Sequence, residues 1–194
     1  METFVLDNAD SNKTVYNPQE ECSAVEVTEE FELSTAKYRV LPNGDKHGLY
    51  QEWDDNGKLF RQNHYVNGKP HGLHQEWHEN GQLHLQSTYV EGKEHLLSQG
   101  WFEDGQLSFQ TGYLNGKYHG VLQEWYRGGK PHILAHFNNG NPEGLREMWY
   151  ENGNPSFRGS YLNGNAHGLF QRWDENGELI EEVSYDNGAP VKSN

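Results

Sequence analysis

Glycine recurs every 24 residues along this chain, at Gly44, Gly68, Gly92, Gly116, Gly140, Gly164 and Gly188. The six tryptophans keep the same step: Trp53, Trp77, Trp101, Trp125, Trp149 and Trp173. A fixed period of this length predicts a stacked repeat array in which each unit contacts mainly its neighbours. The period constrains the fold more tightly than the function, because residues repeated in every unit serve the scaffold first.

The units share an internal plan. A few residues after each Trp comes a turn pair: Asn56-Gly57, Asn80-Gly81, Asp104-Gly105, Gly128-Gly129, Asn152-Gly153 and Asn176-Gly177. Such pairs tolerate the positive φ that tight hairpins need, and residues of high β-propensity flank them. Each unit therefore reads as a β-hairpin. A second loop, x-Asn-Gly-x-x-His-Gly, joins it to the next, and the fold class expected is all-β, an elongated single-layer meander.

Period-two alternation separates two faces. Leu49, Gln51 and Trp53 recur almost unchanged as Leu73, Gln75, Trp77 and as Leu169, Gln171, Trp173. On the returning strand Leu59, Arg61, Asn63 and Tyr65 share a side, as do Leu83, Leu85, Ser87, Tyr89 and Leu107, Phe109, Thr111, Tyr113. This repeating set is expected to form the buried stripe. The other slots change from unit to unit. Phe102, Leu122, Tyr126, Met148, Tyr150 and Phe170 are expected to make an exposed apolar band, with Arg146 and Arg172 beside it. Aromatics, Met and Arg are the residue types enriched at protein interfaces. The alternative is that a curled sheet or the N-terminal segment covers the band.

Only 33 % of residues are hydrophobic, which suits a thin stack better than a single deep core. No apolar run reaches the roughly 18 residues of a membrane-spanning helix, and Met1 to Asp10 lacks a basic and apolar leader pattern. The lone Cys22 points to a reducing compartment, so a cytoplasmic location is expected. Net charge is −14, of which residues 1–36 carry −8 through nine acidic side chains and Lys13. That excess repels nucleic acid and anionic lipid and favours a basic protein partner, with Glu76 and Glu124 as acidic contacts.

Residues 1–36 escape the period and are read as an acidic cap. Within them Ala24–Thr28 and Phe31–Leu33 are expected as short strands, and Lys37–Leu41 as the strand leading into the array. A disordered acidic tail is the competing reading for Met1 to Glu21. Residues 37–194 hold six full units and a truncated seventh. His47, His71, His95, His119 and His167 occupy one slot, with Glu143 in the fifth unit. Equivalent slots lie about two strand spacings apart, roughly 9–10 Å, too far to share a metal ion. A loop hydrogen bond is the expected role. No phosphate-binding loop, nucleophile elbow or metal spacing occurs, so neither cofactor nor catalytic residues are expected.

The Tyr-x-Asn-Gly-Lys-x-His-Gly segments (Tyr65 to Gly72, Tyr113 to Gly120), followed by Trp-x-x-Asn-Gly-x-Leu as at Trp77 to Leu83, resemble MORN-variant repeats such as those of the YwqK-type bacterial antitoxin family. The likeness covers about residues 41–191. Two units depart from the His-Gly pattern, at Leu96 and Glu143, where differently shaped loops are expected. The resemblance implies a hairpin array and an antitoxin or immunity role exercised by direct binding to a toxin. The second reading it carries is a MORN-type scaffold or membrane-associated adaptor. The partner-binding residues expected are Glu76, Phe102, Leu122, Glu124, Tyr126, Arg146, Met148, Tyr150, Phe170 and Arg172.

Overall fold

Nineteen strands form one antiparallel sheet in the computed structural model, which describes residues 23–31 and 33–191. No helix occurs among the described residues. Each pairing joins strands that are neighbours along the chain or one short strand apart, giving an open meander. The outgoing strands are Gly48–Asp54, Gly72–Trp77, Leu96–Trp101, Lys117–Trp125, Gly144–Trp149 and Gly168–Trp173. The return strands are Leu59–Val66, Leu83–Val90, Leu107–Leu114, Pro131–Asn138, Pro155–Leu162 and Leu179–Asp186. At the N-terminal end Val25–Glu30 pairs with Ser34–Val40, which in turn pairs with Gly48–Asp54. Phe31 and Leu33, expected in a strand, instead flank the bend between these two, where the Phe31 amide donates to the Ser34 carbonyl. The expectation for Met1 to Glu21 lies outside the described residues.

The two loops exchange the roles expected of them. The two-residue turn with both central residues at positive φ is Asn67-Gly68 (49° and 78°), repeated at Asn115-Gly116, Asn139-Gly140, Asn163-Gly164 and Asn187-Gly188. Its flanks Val66 and Lys69 pair directly, the geometry of a tight hairpin matched to strand twist. After each Trp the loop is longer. The Asp54 amide donates to the Lys58 carbonyl, only Gly57 has positive φ, and a register shift follows at Trp53. The 24-residue glycine period has a second cause. The Gly68 amide donates to the Lys46 carbonyl, Gly92 to Pro70 and Gly116 to Glu94, so each tight turn is tied to the preceding unit.

Leu96 does not reshape its loop. It sits at φ 66°, the left-handed conformation taken by Gly48, Gly72, Gly144 and Gly168 at the same slot. That conformation costs an L-residue about 1–2 kcal/mol, and at 58 % exposure Leu96 recovers little by burial. Leu96→Gly is therefore expected to stabilise the chain by about 1 kcal/mol, read as a higher denaturation midpoint in urea at constant slope. A lower midpoint would show that the leucine side chain contributes more than its backbone strain costs.

Strand register divides the residues expected to form one buried stripe between both faces. Tyr50 lies opposite Asn63 and Glu52 opposite Arg61, while Leu49 faces His64 and Gln51 faces Gln62. Arg61, Asn63 and Tyr65 thus share a face with Tyr50, not with Leu49 and Trp53. The tightly packed side is the one with variable slots: Tyr50, Ser98, Ser87, Thr111 and Ala135 are all buried there. Leu49, Leu73 and Leu169, expected inside, are 39 %, 39 % and 46 % exposed. The physical reason is the bulge after the Trp turn, which changes the parity of the returning strand relative to simple alternation.

Packing is densest at the N-terminal end. Ala36, Tyr38 and Tyr50 form a buried cluster extended by Val27, Val40 and Tyr65. The Tyr38 and Tyr50 rings lie 5.6 Å apart and those of Tyr50 and Tyr65 5.9 Å apart. Lys46 Nζ stands 4.4 Å from the Tyr50 centroid and 4.6 Å from that of Tyr38. Burial first, then the neighbouring Glu52, pushes the Tyr50 phenol up to about 12.

Candidate binding surface

The tyrosine-bearing face changes character along the array. In units one and two it is an ion network: Arg61 Nε donates to Glu76 Oε1 at 3.0 Å and Arg61 Nη1 to Glu52 Oε2 at 3.3 Å. His74 lies 3.5 Å from Glu76 and hydrogen-bonds Asn63. The bond from His74 and the Arg61 guanidinium hold the Glu76 carboxyl down to about 2. Glu76 is therefore engaged in the fold before any partner arrives. Glu124 sits in the same row, between Phe109 and Ile133 on adjacent strands, and lies 3.4 Å from His132.

In units five and six the face becomes aromatic. Phe170 stacks edge-on against Phe157 at 5.7 Å, Tyr161 at 5.4 Å and Tyr185 at 4.9 Å. Gly159 makes room for this cluster, since a Cβ there would fall 2.7 Å from the Phe170 ring. Arg146, opposite Gly159, lies 6.0 Å from the Phe157 centroid, and Met148 lies between Ile133 and Phe157. Arg172 is 62 % exposed and pairs with Glu181 at 3.4 Å. Phe157, Phe170, Arg172, Glu181, Val183 and Tyr185 line a shallow cleft. The structure thus brings Arg146, Met148, Phe170 and Arg172 together, with Leu122 further along the sheet beside Thr111 and Ala135.

Phe102, Tyr126 and Tyr150 stand apart from that cluster, at the start of the turns after Trp101, Trp125 and Trp149. Arg127 covers the Phe102 ring at 5.3 Å. The Tyr126 hydroxyl donates to the Trp149 carbonyl and the Tyr150 hydroxyl to the Trp173 carbonyl, both at 2.9 Å. These tyrosines are half-buried staples between successive units. His78 fills the same slot in unit two and reaches the Trp101 carbonyl at 2.8 Å. Tyr150→Phe is expected to cost about 1 kcal/mol of stability by removing one such bond. Urea unfolding of this variant checks it, and an unchanged midpoint would mean that the bond contributes nothing net.

The histidine slot forms loop hydrogen bonds in several units. His47 Nδ1 accepts from the Asn67 amide and His95 Nδ1 from the Asn115 amide, at 3.5 and 3.4 Å. Glu143 accepts from the Asn163 amide at 2.8 Å, which explains why an acid can replace histidine there.

The opposite face carries a feature that alternation alone does not reveal. Register aligns Gln51, Gln62, Gln75, Gln86, Gln99, Gln110 and Gln123 in one row across seven strands. Their amides bond along the row, from Gln51 to Gln62 at 2.9 Å, Gln75 to Gln86 at 3.1 Å and Gln110 to Gln123 at 2.6 Å. Two 24-residue glutamine series are visible in the sequence, but only the pairing register merges them.

The sequence pattern described as the MORN repeat variant matches residues 46–67, 70–91, 118–139, 142–163 and 166–187. The interval between 91 and 118 holds Leu96 and folds into the same hairpin. No curated protein matches the chain. Among solved structures it is similar to one titled "Crystal Structure of TarM", at 12 % identity and a TM-score of 0.31. That likeness covers 63 % of this chain and 22 % of the other. The repeated matches over more than half of the residues, on a meander of hairpins at the same period, place this chain in the MORN repeat variant family.

Proposed function

We propose that this repeat module is an antitoxin or immunity protein, acting in the cytoplasm by binding a basic bacterial toxin directly rather than by catalysis. The observation that carries the reading is the Arg146–Phe157–Phe170–Tyr185–Arg172 cluster at the C-terminal end of the tyrosine face. The same slots in unit one hold Tyr50, Glu52, Arg61 and Tyr65, so the hairpin forms without phenylalanine there. Buried aromatics and arginines are the anchors on which interface energy concentrates. The net charge of −14 supports a cationic partner, because it accelerates encounter with one and suppresses wrong ones.

The test is co-expression with the product of the adjacent gene in a heterologous host. Rescue of growth by this chain, lost with Phe170→Ala while the folded protein persists, is the expected result. A neighbouring product that is harmless alone, or rescue indifferent to Phe170, Arg146 and Arg172, would remove the antitoxin reading in favour of a scaffold.

A further inference from the structure

The face bearing the glutamine row is unlike the rest of this acidic surface. Across the eight strands from Gly48–Asp54 to Pro131–Asn138, its central rows run from Gln51 to Leu134 and from Leu49 to His136 without a single Asp, Glu, Lys or Arg. Leu49, Leu73, Leu97 and Val121 stand 39–50 % exposed along it. A sheet face of this kind ordinarily packs against a second layer, and the described residues supply none.

Its two long edges differ in sign. Beside the tight turns, Lys69, Lys93 and Lys117 lie opposite Val66, Val90 and Leu114 and so share this face; Lys69 pairs with Glu91 at 3.3 Å, and Asp45 holds the same slot one unit earlier, beside Gly68. Beside the Trp turns of units one to three are the exposed Asp55, Glu79 and Glu103, with Lys58 in the first turn, while the fourth turn carries the exposed Arg127 and Lys130 instead. The pattern stops where the neutral surface stops. The lysine slot becomes Asn141 and Asn165 in units five and six, and the glutamine row gives way to Glu147 and Arg158.

We propose that two copies of this chain pack face to face through units one to four, with the glutamine rows at the centre. This goes beyond the antitoxin reading and does not depend on it. A twofold axis along the array reverses the strand direction of the second copy and lays its acidic edge on the lysine edge of the first. Over the first three Trp turns each edge then meets its opposite, and the neutral centre avoids the repulsion that two chains of charge −14 otherwise feel. Two sheets stacked with strands nearly aligned form an ordinary sandwich. Eight strands at about 4.8 Å spacing and about 20 Å of strand length give about 700 Å² per copy, close to the roughly 800 Å² per partner of a standard stable interface.

Sedimentation over a concentration series decides it. The wild-type chain is expected to show a monomer–dimer equilibrium, abolished by Leu73→Glu with Leu97→Glu at side chains already exposed to water. Edge reversal is the sharper arm, because it leaves the neutral centre intact. Lys69, Lys93 and Lys117 changed to Glu in one variant, and Asp55, Glu79 and Glu103 changed to Lys in another, each abolish self-association. An equal mixture of the two variants restores a 1:1 pair, since both edges are again complementary. A wild-type chain that stays monomeric throughout, or a dimer indifferent to the edge reversals, overturns the proposal.

Discussion

Tyr50→Ala is expected to destabilise the array by about 3–5 kcal/mol, the range for truncating a large buried aromatic. Tyr50 is 9 % exposed and joins the N-terminal strands to the first repeat, with Tyr38 on one side and Tyr65 on the other. Removing the ring leaves a cavity at the tightest point of the fold and takes the middle platform from beneath Lys46. Tyr50→Phe separates the contributions, because it deletes only the hydroxyl that donates to Glu52 at 3.3 Å, a loss of about 1 kcal/mol. Trp101→Ala supplies the comparison. Trp101 is half-buried on the glutamine face, so its truncation is expected to cost less than that of Tyr50. Urea midpoints for the three variants check the order. A larger loss at Trp101 would return the core to the face that the register places outside.

That ordering marks where the sequence was informative and where it was not. The period was legible because it is imposed by backbone conformation. A glycine in a tight turn, tied to a carbonyl one unit back, must recur wherever the turn recurs. Hairpins, strand content and the joining loop follow from the same repetition. The assignment of faces does not, because it depends on parity across a turn. The five residues from Asp54 to Lys58 and the bulge that follows decide whether Tyr65 lies with Trp53 or with Tyr50, and no residue type announces that choice. Tryptophan then misleads. Its regular recurrence looks like a core, whereas much of the burial falls on Ser87, Ser98, Thr111 and Ala135, small side chains under larger neighbours.

The candidate surface was legible by residue type and less so by residue role. Slots that escape the repeat did include Arg146, Met148, Phe170 and Arg172, which the fold gathers on one face. Tyr126 and Tyr150 escape it for another reason, as their hydroxyls reach carbonyls 23 residues onward. A bond across units leaves no local pattern. Asp54 and Asp174 close the same turn from within, accepting the amides of Lys58 and Glu178, so the slot has two chemical solutions.

Gly112→Ala is expected to cost about 3 kcal/mol, toward the upper end for forcing a methyl group into filled space. A Cβ at this position would lie 2.2 Å from the His119 carbonyl oxygen, a main-chain atom that cannot rotate away. The constraint arises from register. Pairing between Leu107–Leu114 and Lys117–Trp125 shifts between Thr111 and Tyr113, and Gly112 sits at the shift. The neighbouring strand runs unbroken through His119, whereas in units two, three, five and six a short strand ends before the histidine slot and a new one begins after it. Equivalent positions there carry His64, Thr88, His136, Ser160 and Ser184 without difficulty. Relieving the overlap means moving a strand held by Tyr113 opposite Tyr118 on one side of the shift and Thr111 opposite Leu122 on the other. In a chain of this size the loss corresponds to a fall in Tm of roughly 6–12 °C, at about 2–4 °C per kcal/mol. Ser160→Ala, the matched change in unit five, is expected to stay within about 0.5 kcal/mol of the parent. Equal melting of the two variants would mean that the strands part at Gly112 more than this register allows.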